Sequence, residues 1–423
     1  MLNLIEEKVL SAIRMDEFLV FLDQLLRVQS VNGTAGEDEA QRLVASQMQS
    51  WGMDVDLWTL DFEELKKHPA YSAETERTTG LGVVGALGGG RGKNLIFNGH
   101  VDVVPVDDLS YWHYPPWQAS IANGNVYGRG ALDMKGGLCC ALFAAKAILD
   151  AGITLNGRLY IQSVIGEEDG GVGTLAAVLR GSRADGAVIM EPTGLFISPS
   201  QAGALNFRIT VPGKTAHGAM RSEGVSAIEK FIPLHAALLE LERSRNAALK
   251  DELYAAEPLP FALNIGNLRA GDWASNVPES LVCEGRYGVA PGEDVDTARQ
   301  ALENTLMDTA QKDPWLKDHP PRLEWWGAQF MPARTSPHDP LVACLSQALQ
   351  DTGRAPALKG MTYGADMRLL VNQAGIPTLL FGPGDIRIAH QPNESVPLED
   401  LLLVTRTLAL TALRFCSVQE PGV

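Results

Sequence analysis

A chain of 423 residues exceeds what one hydrophobic core ordinarily organises, so its length points to two domains. With 45% hydrophobic and 20% charged residues, the composition is that of a globular protein and not of a disordered one. A formal net charge of −16 argues against nucleic acid and anionic membrane surfaces as partners, because neutralising phosphates needs clustered Lys and Arg.

The first elements follow from apolar spacing. Residues 3–28 and 35–51 read as amphipathic helices. The opening stretch carries acids among its apolar residues, unlike a secretory signal, and no apolar run reaches the ~18 residues of a membrane span. The cytoplasm is the expected compartment. Segment 93–99 reads as a buried strand, 134–150 as a long apolar helix ended by Gly152, 158–165 as a strand, 171–181 as a helix and 186–190 as a strand. This alternation predicts an α/β layer with a mostly parallel central sheet and helices on both faces. The Gly88–Asn94 run is glycine-rich but fails the spacing of a phosphate loop, with Leu87 and Asn94 at the wrong places.

The pattern changes near residue 202. Segment 204–211 alternates as a half-exposed strand, 222–243 is helical, 261–269 and 280–289 are strands, 292–311 is helical and 322–327 is a strand. The order β-α-β-β-α-β is the split-βαβ plan of a small α+β unit. From residue 328 the first pattern resumes, with helix 338–352, strand 377–381 and helix 398–416. The predicted organisation is a discontinuous domain, 1–202 and 328–423, interrupted by an inserted domain at 203–327.

Chemistry-bearing residues gather at predicted strand ends. Asn98-Gly99-His100-Val101-Asp102 closes a buried strand with a His, and alternation puts Asp102 on the same face. An imidazole that binds metal gives its other N–H to an acceptor, a role that suits Asp102. Asp133 stands before an apolar helix and is followed by Gly136 and Gly137, which permit close backbone approach or unusual dihedrals. Two adjacent carboxylates, Glu167 and Glu168, end the next strand, and burying both is costly unless a cation offsets them. One of them can bind metal while the other handles a proton. Glu191 ends a further strand, and His390 follows the last one after the turn Gly382-Pro383-Gly384.

Taken singly, each of these has a plain structural reading: an N-cap Asp, a solvated acidic loop, a hydrogen-bonded core histidine. Together they supply two histidines and three carboxylates as ligands plus one spare glutamate, a donor set that suits zinc. Three carboxylates and a hydroxide balance two divalent ions. The five cysteines, Cys139, Cys140, Cys283, Cys344 and Cys416, are odd in number and include no CxxC, so neither a disulfide framework nor a cysteine metal site follows. A serine hydrolase is disfavoured by the lack of a GxSxG elbow.

The segments NGHVDVVP, GRGALDMKGG, GEEDGG, MEPT and AHQPNE, in this order, resemble the dizinc aminoacylase and carboxypeptidase family. That family includes acetylornithine deacetylase, succinyl-diaminopimelate desuccinylase and glutamate carboxypeptidase. The resemblance spans essentially the whole chain. It implies two zinc ions per chain, with cobalt or manganese as substitutes, held by His100 and His390, bridged by Asp133 and completed by Glu168 and Glu191. It implies a cis peptide at Asp133–Met134 and a general acid/base role for Glu167. In the inserted domain it implies that His217 reaches the active site of a partner subunit and that Asn276 and Arg286 hold the substrate's polar end. The expected protein is therefore a homodimeric metal-dependent hydrolase of a small N-acylated or peptide substrate. The long segment 58–80 resembles less-characterised deacylase branches, among them a deformylase of aminopyrimidines. A dipeptidase, a single-metal carboxypeptidase and a non-catalytic metal-binding relative are the alternatives.

Overall fold

Strand Leu95–His100 has every side chain buried, which requires cover on both faces of its sheet. In the computed structural model, which describes residues 2–419, it is an interior strand of a six-stranded sheet. The sheet order is Asp54–Thr59, Leu81–Gly88, Arg158–Val164, Leu95–His100, Gly186–Ile189 and Thr378–Leu380. The last four run parallel to one another, and Leu81–Gly88 pairs antiparallel with both of its neighbours. Parallel neighbours need crossover helices, and Lys135–Asp150 and Val172–Leu179 supply them. Helix Lys135–Asp150 is buried along nearly its whole length and packs on Leu398–Cys416, whose inner side is mostly apolar apart from Thr405, Thr407 and Thr411.

Most predicted elements appear within a few residues of their expected limits. The expected helix 3–28 is two helices, Leu4–Ser11 and Met15–Arg27, because Arg14 takes an extended conformation between them. Strands Asp54–Thr59 and Leu81–Gly88 were not expected. The first alternates weakly, and three of the eight residues of the second are glycine, which dilutes a strand pattern.

The chain divides into two compact units. The first comprises residues 1–200, 334–360 and 365–423, and the second comprises 201–333 and 361–364. In the second, a four-stranded antiparallel sheet has the order Leu263–Ala270, Ser280–Val289, Gly203–Pro212, Arg322–Phe330. Helices Ala227–Ala248 and Val295–Ala310 pack on it around Leu205, Phe207, Ile209 and Val211, the inward-facing alternate residues of one strand. The short return at 361–364 joins this unit through the Ala202 N–H, which donates to the Met361 carbonyl at 2.8 Å. No local sequence pattern announces that return.

Candidate metal centre

In parallel sheets the carboxyl ends of the strands form the natural crevice for ligands. His100 is the last residue of Leu95–His100, Glu167 and Glu168 follow Arg158–Val164, and Glu191 follows Gly186–Ile189. Asp133 precedes helix Lys135–Asp150 and is joined to Met134 by a cis peptide bond. His390 lies in the loop after Thr378–Leu380 with a left-handed φ of 62°.

These side chains converge. Asp133 directs one oxygen to each histidine: Oδ1 lies 3.3 Å from His100 Nε2 and Oδ2 lies 3.3 Å from His390 Nε2. Glu168 approaches His390 Nε2 at 3.0 Å, and Glu191 Oε1 lies 3.9 Å from His100 Nε2. Glu167 Oε2 stands 4.0 Å from the same nitrogen. Ligand atoms of His100, Asp133 and Glu168 lie within 4.8 Å of one another, as do those of His100, Glu167 and Glu191. The structure thus brings together all five sequence-predicted ligands and Glu167. It groups Glu191 with His100, and Glu168 with His390, on the two sides of Asp133.

The surrounding hydrogen bonds fix these groups. The His100 Nδ1–H donates to the Asp102 carbonyl at 2.9 Å, so Nε2 is the ring nitrogen that faces Asp133. The nearer acceptor is therefore the Asp102 backbone, not the carboxylate that the HxD spacing suggests, whose closest oxygen is 3.7 Å away. That carboxylate instead accepts the Glu168 backbone N–H at 3.1 Å and holds the start of the acidic loop. Glu394 Oε1 accepts the backbone N–H groups of Leu132 and Asp133 at 3.0 and 3.1 Å, while its Oε2 accepts from Arg129 Nη1 at 2.6 Å. Arg129 Nη2 also donates to the His390 carbonyl at 3.4 Å. Arg129 and Glu394 are both buried, and no local sequence pattern marks either. Their signal was a charged residue inside an otherwise glycine-rich or polar loop motif, which only a partner in space makes meaningful.

The electrostatics are those of a cation site. Burial raises Glu167 and Glu191 well above the usual carboxylate range, with Glu191 adding to the effect on Glu167 and Asp133 to that on Glu191. Glu168 is raised by burial and by Asp133. Burial works against a charged His390, but the hydrogen bonds it donates to Asp133 and Glu168 outweigh it and lift the imidazole to about 11. His100 is likewise raised, its carboxylate neighbours overcoming complete burial. Glu191 Oε1 is buried and has no hydrogen-bond partner, a costly state for a carboxylate oxygen that a bound cation would relieve. The donor set and this orphaned oxygen fit divalent metal.

The remaining predicted residues belong to the second unit. His217 and Asn276 face each other in an antiparallel bridge, and the Gly218 N–H donates to the Ser275 carbonyl at 2.6 Å. The Ala219 N–H donates to His217 Nδ1 at 3.1 Å, so the imidazole proton sits on Nε2 of this exposed ring. Arg286 does not stand free: its Nη2 donates to the Thr362 carbonyl at 2.8 Å.

A histidine and carboxylate cluster at the strand ends of an α/β unit is a candidate divalent-metal centre, and comparison with known proteins makes it that of a metal-dependent hydrolase. Residues 96–414 match Peptidase family M20/M25/M40, and the chain belongs to that family, which includes the acetylornithine deacetylases and carboxypeptidases. It is a metal-dependent hydrolase acting on amide bonds. Among its relatives, the N-formyl-4-amino-5-aminomethyl-2-methylpyrimidine deformylase of Halalkalibacterium halodurans is 29% identical over 99% of both chains. The enzyme of that name from Bacillus subtilis is 31% identical over 77% of this chain and 80% of its own. A dinuclear metal-binding peptidase from Bacillus subtilis, at 14% identity, shares the fold with a TM-score of 0.61 over 95% of this chain and 99% of that one.

Proposed function

We infer that this chain is a two-metal deacylase that removes a formyl group from the amine of an aminomethylpyrimidine or a close heteroaromatic analogue. The observation that carries the two-metal reading is the splitting of Asp133, one oxygen to each histidine at 3.3 Å. The substrate reading rests on similarity to two deformylases, one of them along the full length of the chain.

His100 and Glu191 would hold one ion, His390 and Glu168 the other, with Asp133 between them. Imidazole and carboxylate donors favour zinc. Two such ions supply a Lewis acid for the scissile carbonyl and a nucleophilic water at neutral pH. Glu167 takes the proton of the attacking water and passes it to the leaving amine nitrogen. Its carboxylate lies 4.0 Å from His100 Nε2, at the edge of the cluster. His217, with its proton on Nε2, donates to the carbonyl oxygen as negative charge develops there. In a homodimer built through the second unit, that donor serves the partner's site. Five unpaired thiols fit a reducing cytoplasm.

The test is elemental analysis of the reconstituted protein together with a hydrolysis panel: N-formyl, N-acetyl and N-succinyl amino acids, N-acetylornithine, a formylated aminomethylpyrimidine and dipeptides. The expected result is about two zinc ions per chain and chelator-sensitive cleavage fastest with the formylpyrimidine. Failure to retain divalent metal would overturn the metal centre, and faster cleavage of an acylated amino acid would overturn the substrate.

A further inference from the structure

Between helix Phe62–Leu65 and strand Leu81–Gly88 the chain runs through residues 66–80 without regular structure, outside every motif of the metal centre. Arg77, in this stretch, is only 5% exposed. A guanidinium buried so deeply must be paired, and its fork joins two carboxylates. Nε and Nη2 donate to the two oxygens of Glu37 at 2.8 and 2.7 Å. Nη1 donates to the oxygens of Asp169 at 3.0 and 2.8 Å. Glu37 is held in the first turn of helix Ala35–Ser50, so Arg77 is braced against a rigid element.

Asp169 directly follows Glu167 and Glu168, and residues 74–77 grip it from several sides. The Thr75 N–H donates to Oδ2 at 3.0 Å, and the Glu74 N–H donates to the Asp169 carbonyl at 2.9 Å. The next residue, Gly170, has φ 138°, and a Cβ there would lie 2.7 Å from the Ser72 carbonyl oxygen. The segment therefore lies directly against the backbone of the acidic loop. Stability alone is a poor reason for this arrangement, since buried ion networks are commonly no more stable than apolar residues of the same volume. What such a network supplies is fixed geometry.

The geometry points to Arg77 as a positioning residue: through Asp169 it sets the loop so that the Glu167 carboxylate faces the attacking water. Segment 72–77 is the brace of the base. This role rests on Glu167 being the general base. A small misplacement of such a group costs on the order of 100-fold in rate.

The test is a double-mutant cycle on the zinc-reconstituted enzyme, with the panel substrate cleaved fastest, reading kcat, KM and metal content. Lys in place of Arg77 keeps one charge but cannot fork to both carboxylates. Arg77→Lys is expected to retain its metal and hold KM within about threefold while kcat falls roughly 10- to 100-fold. In a Glu167→Gln background the same substitution should change the residual kcat less than about twofold, because the group it positions no longer acts. Wild-type kcat in Arg77→Lys, or an equal loss in both backgrounds, overturns the role. If Arg77→Lys does not fold or retain metal, Asp169→Asn carries the same cycle, since it keeps an acceptor for the Thr75 N–H while removing the charge that Arg77 holds. An equal loss in both backgrounds with that variant overturns the role as well. Glu167→Gln with wild-type turnover removes the base assignment and the brace with it, and so distinguishes that failure from a failure of Arg77 alone.

Discussion

Glu394 has no access to solvent, yet it carries three bonds that shape the metal centre: two from the backbone of Leu132 and Asp133, one from Arg129. Burial lifts its carboxyl to about 7 against the pull of Arg129. Removing it leaves a buried guanidinium without its carboxylate and Asp133, the proposed bridge, without its backbone anchor. Glu394→Ala should cost about 3–5 kcal/mol of stability and weaken metal binding roughly 10- to 100-fold. Urea denaturation of the metal-free protein and a competition titration against a chelator measure the two effects separately. Glu394→Gln keeps acceptor capacity and should lose less on both counts. An alanine variant that binds metal as the wild type does would show that Asp133 holds its place without this anchor. At this scale the sequence was informative about what each residue can ligate and silent about what holds it. The HxD pair of His100 and Asp102 is legible, but which Asp102 oxygen receives the imidazole N–H depends on backbone geometry. Arg129, Glu394, Glu37 and Arg77 act through partners 40 to 265 positions away in the chain, so no local pattern reports them.

Among elements, helix Lys135–Asp150 shows how packing sets the site. The glycines after Asp133 were open to two readings, unusual dihedrals or close approach, and the structure selects close approach: neither has positive φ. A Cβ on Gly137 would lie 2.2 Å from the Met190 carbonyl oxygen. The helix start thus rests against the residue before Glu191, which fixes the spacing of Asp133 from Glu191. Gly137→Ala should force these elements apart at a cost of about 1–3 kcal/mol. Metal affinity should fall with it, because two proposed ligands of one ion, Asp133 and Glu191, are carried on the separated elements. Thermal denaturation and metal titration of the purified variant check both, and an unchanged affinity would mean that the strand end adjusts independently of the helix. The elements themselves were readable wherever a period was sustained. The interior strands and the β-α-β-β-α-β order of the second unit follow from apolar runs and alternation. Strand Leu81–Gly88 was lost because its glycines carry no side chain to mark a face, although the sheet needs it to pair Asp54–Thr59.

Over the whole molecule, the metal centre couples protonation, metal and stability. Without metal, carboxylate neighbours keep His100 protonated and raise His390 to about 11, and burial keeps Glu167 and Glu191 above the carboxylate range. Ligation requires neutral imidazoles and ionised carboxylates, so metal binding must release protons, and affinity must rise with pH. Titration calorimetry between pH 6 and 8, in buffers of different ionisation enthalpy, should show proton release and a dissociation constant that falls as pH rises. The stability of the metal-free protein has the opposite sign. Groups raised on folding bind more protons folded than unfolded, so their contribution is full below the unfolded value, about 6.5 for histidine, and is lost as pH climbs through the folded value. Asp133 is lowered by its histidines, but it is ionised in both states near neutrality and adds no slope there. The stripped protein should therefore lose thermal stability from pH 6.5 upward while the loaded protein gains from tighter binding. The gap between their melting temperatures should widen with pH. A gap that stays constant from pH 6 to 8 would mean that the cluster is already deprotonated without metal, and that its carboxylates are held apart by something other than protons.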